Sequence, residues 1–269
     1  MDRPLVVFDT ETATCRGAPH LLEIGAIRVV DGEVVDHFES LARPEVVIEP
    51  EATAIHGITD EMVRDAPPTE AVLDSFLAWL GDDWMAAHNA EFDARVLGFE
   101  CVRWRRAVPS GLIVDSLKLS RKLIREAPDH RLVTLCEHLE LEEGTHHRAL
   151  ADATWCWKVI EECAARAKNG EPIGLAELVS LAGAPVTVER SKPRVARNLK
   201  PKHRPLADAC DAREEVTLVY GEPPEPVLPL RVLPHFLYDL GDKSYLEAEC
   251  RRSGTLKTYR LDRVQRVLA

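Results

Sequence analysis

The chain has no apolar run of the roughly 20 residues needed to cross a bilayer, which excludes a helical membrane span and makes a membrane partner unexpected. Its first residues, Met1-Asp2-Arg3-Pro4, lack the basic-then-apolar layout of a secretory signal, so a cytoplasmic protein is expected. No two of its seven cysteines stand in C-x-x-C spacing, and seven is an odd number. Cys15, Cys101, Cys136, Cys156, Cys163, Cys210 and Cys250 are scattered through apolar or helical stretches, as reduced thiols rather than a disulfide frame or a zinc site. There is no internal repeat and no excess of positive charge. Lys and Arg number 34 against 45 Asp and Glu, a net charge of −11, which argues against non-specific polyanion binding by the chain as a whole. One stretch departs from this: residues 190–204 hold seven Lys or Arg and no acid. An acidic body with such a segment can hold nucleic acid if metal ions neutralise part of its carboxylates.

What is present is a core: 45% of the 269 residues are hydrophobic, enough for one large domain or two smaller ones. Residues 4–9 read as a buried strand. Residues 21–30 and 33–42 read as two more, joined at Asp31-Gly32, a hairpin signal. Two short helices are expected around His56-Gly57. Val72, Leu73, Phe76, Leu77 and Leu80 have helical spacing. Then come a short strand at 84–87, a helix at 90–105 capped by Asn89, a strand at 113–115, helices at 116–124 and 132–139, and a long apolar helix at 149–167. Strands followed by alternating strand and helix give an α/β layer fold. A further helix is expected at 173–181 and a basic linker at 190–205. After it, short strands separated by Gly and Pro, at 215–220, 230–232, 245–250 and 257–261, predict a small β-barrel.

Three sets of residues carry chemistry. Asp9 and Glu11, in Phe8-Asp9-Thr10-Glu11-Thr12, end the first strand; an i, i+2 pair points to one face, and two hard oxygen ligands suit Mg²⁺ or Mn²⁺. Asp93, in His88-Asn89-Ala90-Glu91-Phe92-Asp93, begins a helix after a short strand, and functional groups of parallel sheets gather at the carboxyl ends of their strands. His147 and Asp152 are five residues apart, about 500° on a helix, so they converge only if His147 lies in the loop before the helix and Asp152 in its first turns.

This ordered set resembles the DEDDh, or DnaQ-like, family of 3′–5′ exonucleases over residues 4–165. Ala54-Ile55-His56-Gly57-Ile58-Thr59 is similar to the family's H-G-I segment and Asp115-Ser116-Leu117 to its D-T-L segment. The resemblance implies a ribonuclease H-like fold, a mixed five-stranded sheet flanked by helices. It also implies two divalent metal ions, Mg or Mn, held by Asp9, Glu11, Asp93 and Asp152, with His147 as general base. Thr12 and His56 are implied to lie near the substrate's 3′ end. Residues 205–268 resemble a WYL domain, an SH3-like barrel, through Val216-Thr217-Leu218-Val219-Tyr220, Tyr245-Leu246 and Lys257-Thr258-Tyr259-Arg260-Leu261-Asp262-Arg263-Val264. Ser244 stands where that family has its Trp, so this position has no ring to stack on a ligand. The resemblance makes Tyr245, Arg260 and Arg263 candidate binders of a nucleic-acid or nucleotide ligand. The expected domains are residues 1–168, a helix and basic linker over 169–204, and the barrel over 205–269. The expected activity is 3′–5′ exonuclease on single-stranded DNA, with RNA as the alternative substrate. A nucleotide-sensing regulator is the alternative of another class, and a polymerase-associated proofreader ranks below both. No protein partner is named by these motifs.

Overall fold

Leu5, Val6, Val7 and Phe8 are all fully buried, as befits a strand covered on both faces. They open β1 (Leu5–Thr12), the middle strand of a five-stranded sheet in the computed structural model. The structure describes residues 3–141, 148–196, 198–221 and 228–268. β1 pairs antiparallel with β2 (Leu21–Val30), which pairs antiparallel with β3 (Glu33–Leu41). Asp31 and Gly32 take φ of 51° and 88°, the two left-handed positions of a type I′ hairpin turn. On its other edge β1 pairs in parallel with β4 (Trp84–Ala87), and β4 with β5 (Ile113–Asp115). The order β3-β2-β1-β4-β5 makes the mixed sheet that the sequence predicts.

The helices of this unit are α1 (Pro50–His56), α2 (Asp60–Val63), α3 (Thr69–Leu80), α4 (Glu91–Arg103), α5 (Ser116–Leu123), α6 (Leu132–His138), α7 (Ala149–Ala167), α8 (Leu175–Ala182) and α9 (Val188–Ser191). Leu5 and Val7 share a core with Cys156, Trp157, Ile160 and Cys163 of α7 and with Leu175, Leu178 and Val179 of α8. The alternate face carries Phe8, which meets Phe76 of α3 with ring centroids 6.0 Å apart. Helix α4 starts at Glu91, so Asn89 does not hold the cap position assigned to it from sequence; it sits at φ 61°, a left-handed turn its short side chain tolerates.

The second unit is built chiefly from Pro193 onward. The segment expected as a linker carries β6 (Arg194–Val195), a 3₁₀ turn over Pro201–His203 and the start of α10 (Arg204–Ala212). Four strands follow: β7 (Val216–Tyr220), β8 (Leu228–Leu240), β9 (Lys243–Cys250) and β10 (Thr255–Arg260). β11 (Val264–Leu268) ends the chain's described part. The sheet runs β10-β9-β8-β7-β11, with β6 paired to β8. No ladder between β10 and β11 closes the sheet among the described residues; the 3₁₀ turn Leu261–Arg263 joins those two strands, and the closed SH3-like barrel expected from sequence is not found. Leu206, Ala209 and Cys210 of α10 pack with Val232, Leu237, Leu246 and Ala248, so a helix covers part of the sheet's apolar face. Two register shifts, at Pro234/Phe236 and Val264/Arg266, mark where the ladders are irregular, and Pro234 occupies such a bulge.

Candidate active site

β1 places Leu5, Val7, Asp9 and Glu11 in a row on the face that α7 covers. Asp152 comes to the same place from the first turns of α7. Oxygen atoms of Asp9, Glu11 and Asp152 lie within 4.8 Å of one another. Asp93 is 1% exposed and is held by Thr10, whose backbone N–H and hydroxyl both donate to its Oδ1, at 3.0 and 2.7 Å. The structure thus brings the four carboxylates together around the end of β1. His147 lies outside the described residues.

Crowding like charges in a buried place favours the protonated forms. Burial pushes the Asp9 carboxyl well above the usual range, and Asp93, Asp152, Glu11 and Glu23 push it further. Glu11 is raised to about 8 by burial, then by Asp152, Glu23 and Asp93, while Arg148 pulls the other way. Asp93 is raised to about 7 by burial, against the two Thr10 bonds that favour its charged form. A set of hard oxygens that repel one another fits a hard divalent cation, whose charge would let all of them ionise.

The carboxylates line a cleft of about 1000 Å³. Its walls include Thr12, Ile55, His56, His88, Phe92, Arg121 and His130. Ile55 and Phe92 are 55% and 44% exposed, unusual for large apolar side chains and suited to a base or sugar face. The His56 ring is buried: Nδ1 accepts from the Ile58 N–H at 3.0 Å, so Nε2 carries the proton and meets the Thr12 carbonyl at 3.2 Å. These bonds tie the turn after α1, with Gly57 at φ 71°, to the end of β1. The Thr12 hydroxyl donates to the Thr14 carbonyl at 3.0 Å.

Sequence reasoning missed Thr10 as the holder of Asp93, and it missed Glu23. Its available signal was a carboxylate inside the apolar run Leu21-Leu22-Glu23-Ile24. Trp155 and Trp157 are buried, and Trp79 packs on Phe38 and Phe76, so these three rings serve packing. In the second unit Tyr245 lies opposite Arg260 across β9 and β10. The Tyr245 ring stacks on Tyr238 with centroids 5.4 Å apart, and Arg260 is paired with Asp262 at 2.5 Å. Arg263 follows in the 3₁₀ turn Leu261–Arg263.

The chain is similar to known proteins in sequence and in fold. A family model described as exonuclease matches residues 6–160, more than half of the chain, and one described as WYL domain matches residues 201–268. The chain is 41% identical over 163 residues to the DNA polymerase III PolC-type of Oceanobacillus iheyensis, covering 58% of this chain and 11% of that protein. It is 38% identical over 152 residues to that of Bacillus subtilis, covering 55% of this chain and 10% of the relative. The chain therefore spans about a tenth of the length of these curated relatives. Among solved structures, Exonuclease X in complex with 5′ overhanging duplex DNA is 28% identical with a TM-score of 0.51, over 66% of this chain and 99% of that one. The zinc-bound E. coli ExoI–ssDNA complex has a TM-score of 0.57 at 14% identity, over 92% of this chain and 54% of that one, a likeness of fold. With the carboxylate cluster and the mixed sheet, these matches establish that the chain belongs to the DEDDh-type exonuclease family and carries a WYL domain after its exonuclease domain.

Proposed function

We propose that the chain is a 3′–5′ exonuclease that releases nucleoside 5′-monophosphates from single-stranded DNA ends. The observation that carries this reading is the cluster of Asp9, Glu11 and Asp152 in an open cleft. Asp9, Glu11, Asp152 and Asp93 are the residues to hold two divalent cations, Mg²⁺ or Mn²⁺. When bound, such a pair supplies electrostatic stabilisation of the attacking and leaving oxygens of an in-line displacement. Thr10 keeps Asp93 in place for that task, and the Ile55 and Phe92 side chains offer apolar surface to the terminal nucleotide. His147 is assigned the proton of the attacking water, a role suited to an imidazole with a reference pKa of about 6.5. DNA is favoured as substrate because the 41%-identical relative is a DNA polymerase and the 28%-identical structure holds DNA. In the WYL domain Tyr245, Arg260 and Arg263 are assigned to binding the strand or controlling its access.

The test is competition between 5′-labelled DNA and RNA of one sequence in Mg²⁺ or Mn²⁺, with Asp9→Ala as control. DNA shortened faster than RNA, and neither shortened by the variant, is the expected result. RNA shortened faster would replace the substrate, and cleavage by Asp9→Ala equal to wild type would remove the site.

A further inference from the structure

Glu23 is fully buried beside the carboxylate cluster. Its register in the sheet is informative: β1 and β2 pair Asp9 with Gly25 and Glu11 with Glu23. Directly paired residues share a face, so the Glu23-x-Gly25 of β2 runs alongside the Asp9-x-Glu11 of β1, under α7.

Both oxygens of Glu23 are engaged by the start of α7. Oε1 accepts from Arg148 Nε and Nη2, at 3.0 and 2.6 Å. Oε2 accepts from the Ala149 N–H at 3.0 Å and from Arg148 Nε at 3.2 Å. Ala149 is the first residue of α7, where backbone N–H groups have no partner within the helix and negative charge is welcome. The Arg148 carbonyl in turn accepts from the Asp152 N–H at 3.0 Å. Two residues along β2, Gly25 leaves the space that the helix backbone fills. A Cβ there would sit 2.5 Å from the Leu150 Cα and nearer still to the peptide before it, with backbone that has nowhere to move. Glu23 and Arg148 draw the first turn of α7 onto the sheet, and Gly25 lets it arrive.

We infer that Glu23, Arg148 and Gly25 are positioning residues: they set the depth of α7 on the sheet so that Asp152 reaches Asp9 and Glu11, and none of them is a cation ligand. The kinetic part of this inference rests on the exonuclease reading; the binding and exchange parts do not.

The test uses the full chain with Glu23→Ala, Glu23→Gln, Arg148→Ala and the double variant, against Asp152→Asn. It reads Mn²⁺ binding by calorimetry, hydrogen exchange of the amides at 149–153, and kcat and KM on single-stranded DNA. Glu23→Ala and Arg148→Ala are each expected to weaken Mn²⁺ binding about 10- to 100-fold, the usual scale for residues that orient ligands. Exchange in the first turn of α7 should speed up in both, with kcat falling and KM within about threefold. The double variant should lose little more than Glu23→Ala alone, because that substitution already removes the Glu23–Arg148 contact. Glu23→Gln keeps an acceptor oxygen and the shape, so it should retain slow exchange and most of the binding; it also serves if Glu23→Ala does not fold. Unchanged Mn²⁺ binding in Glu23→Ala would overturn the inference. So would binding lost as in Asp152→Asn with first-turn exchange unaltered, the signature of a direct ligand. A wild-type chain that binds Mn²⁺ and cleaves nothing would sink the exonuclease reading while leaving the binding and exchange results to decide the positioning role.

Discussion

The two units treat negative charge in opposite ways. In the first, Asp9 and Glu11 are gathered with Asp152, and the proton affinities of Asp9 and Glu11 rise. In the second, Glu215 pairs with Arg231 at 2.5 Å and Arg251 at 2.8 Å, Glu249 with Arg251 at 2.5 Å, and Asp262 with Arg260 at 2.5 Å. The balance of residues follows the same division: 20 Lys or Arg against 34 Asp or Glu over residues 1–192, and 14 against 11 over residues 193–269. Paired surface charges cost little and add little. A cluster of like charges costs stability, and a fold keeps it where a cation or a reaction uses it. The first unit thus holds a like-charged cluster in a net acidic body, and the second holds surface charges that largely neutralise one another.

The largest expected effect breaks the cluster itself. Asp9→Ala or Asp152→Ala should lower the cleavage rate at least about a thousandfold, several kcal/mol of transition-state stabilisation, measured by single-turnover kinetics. Next in size, Leu246→Ala empties a fully buried position in the second core and should cost about 2–5 kcal/mol in chemical denaturation. It should leave Mn²⁺ binding by the first unit as it is.

The two units should also differ in the sign of their pH dependence. Glu11 and Asp93 have folded values raised to about 8 and about 7, so between the usual carboxylate range and those values the folded chain binds more protons than the unfolded one. Without cations, the first unit should therefore lose stability as pH rises from 5 towards 8. Saturating Mg²⁺ should remove that fall, because it favours the ionised forms. Asp262 and Glu215 are lowered by Arg260 and Arg231, so their stabilising contribution is present above the usual carboxylate range and is lost as pH falls below it. Hydrogen exchange followed separately in β1 and in β9 checks both signs. The smallest effect belongs to Arg260→Ala, which should leave kcat within about twofold, weaken single-strand binding a few-fold and reduce the salt slope by about one.

Much of the fold was legible because its signals are local. The Leu5–Phe8 run, the Asp31-Gly32 turn and the apolar spacing of α7 each lie within one element, and the structure places β1, the hairpin and α7 where those signals point. The three motifs could be read as one site because their ordered set resembles the DEDDh family; strand and helix geometry alone left each of them open. What could not be read depends on partners distant in sequence. Glu23 looks like an intruder in an apolar strand until Arg148, 125 residues later, is folded against it. The 13-residue length of β8 is hidden by Pro234, which reads as a strand end and is accommodated at an irregularity of the ladder. Helix α10 is hidden in the same way: its apolar face joins the second core, and it starts inside a stretch that basic residues and proline mark as a linker.

The most direct test of the central claim is a time course on 5′-labelled single-stranded DNA with Mg²⁺, with chelator, and with Asp9→Ala. A ladder that shortens one nucleotide at a time from the 3′ end with Mg²⁺, and is absent in the other two lanes, is expected. Immediate release of the labelled mononucleotide, or a ladder that survives chelator and the substitution alike, would contradict it.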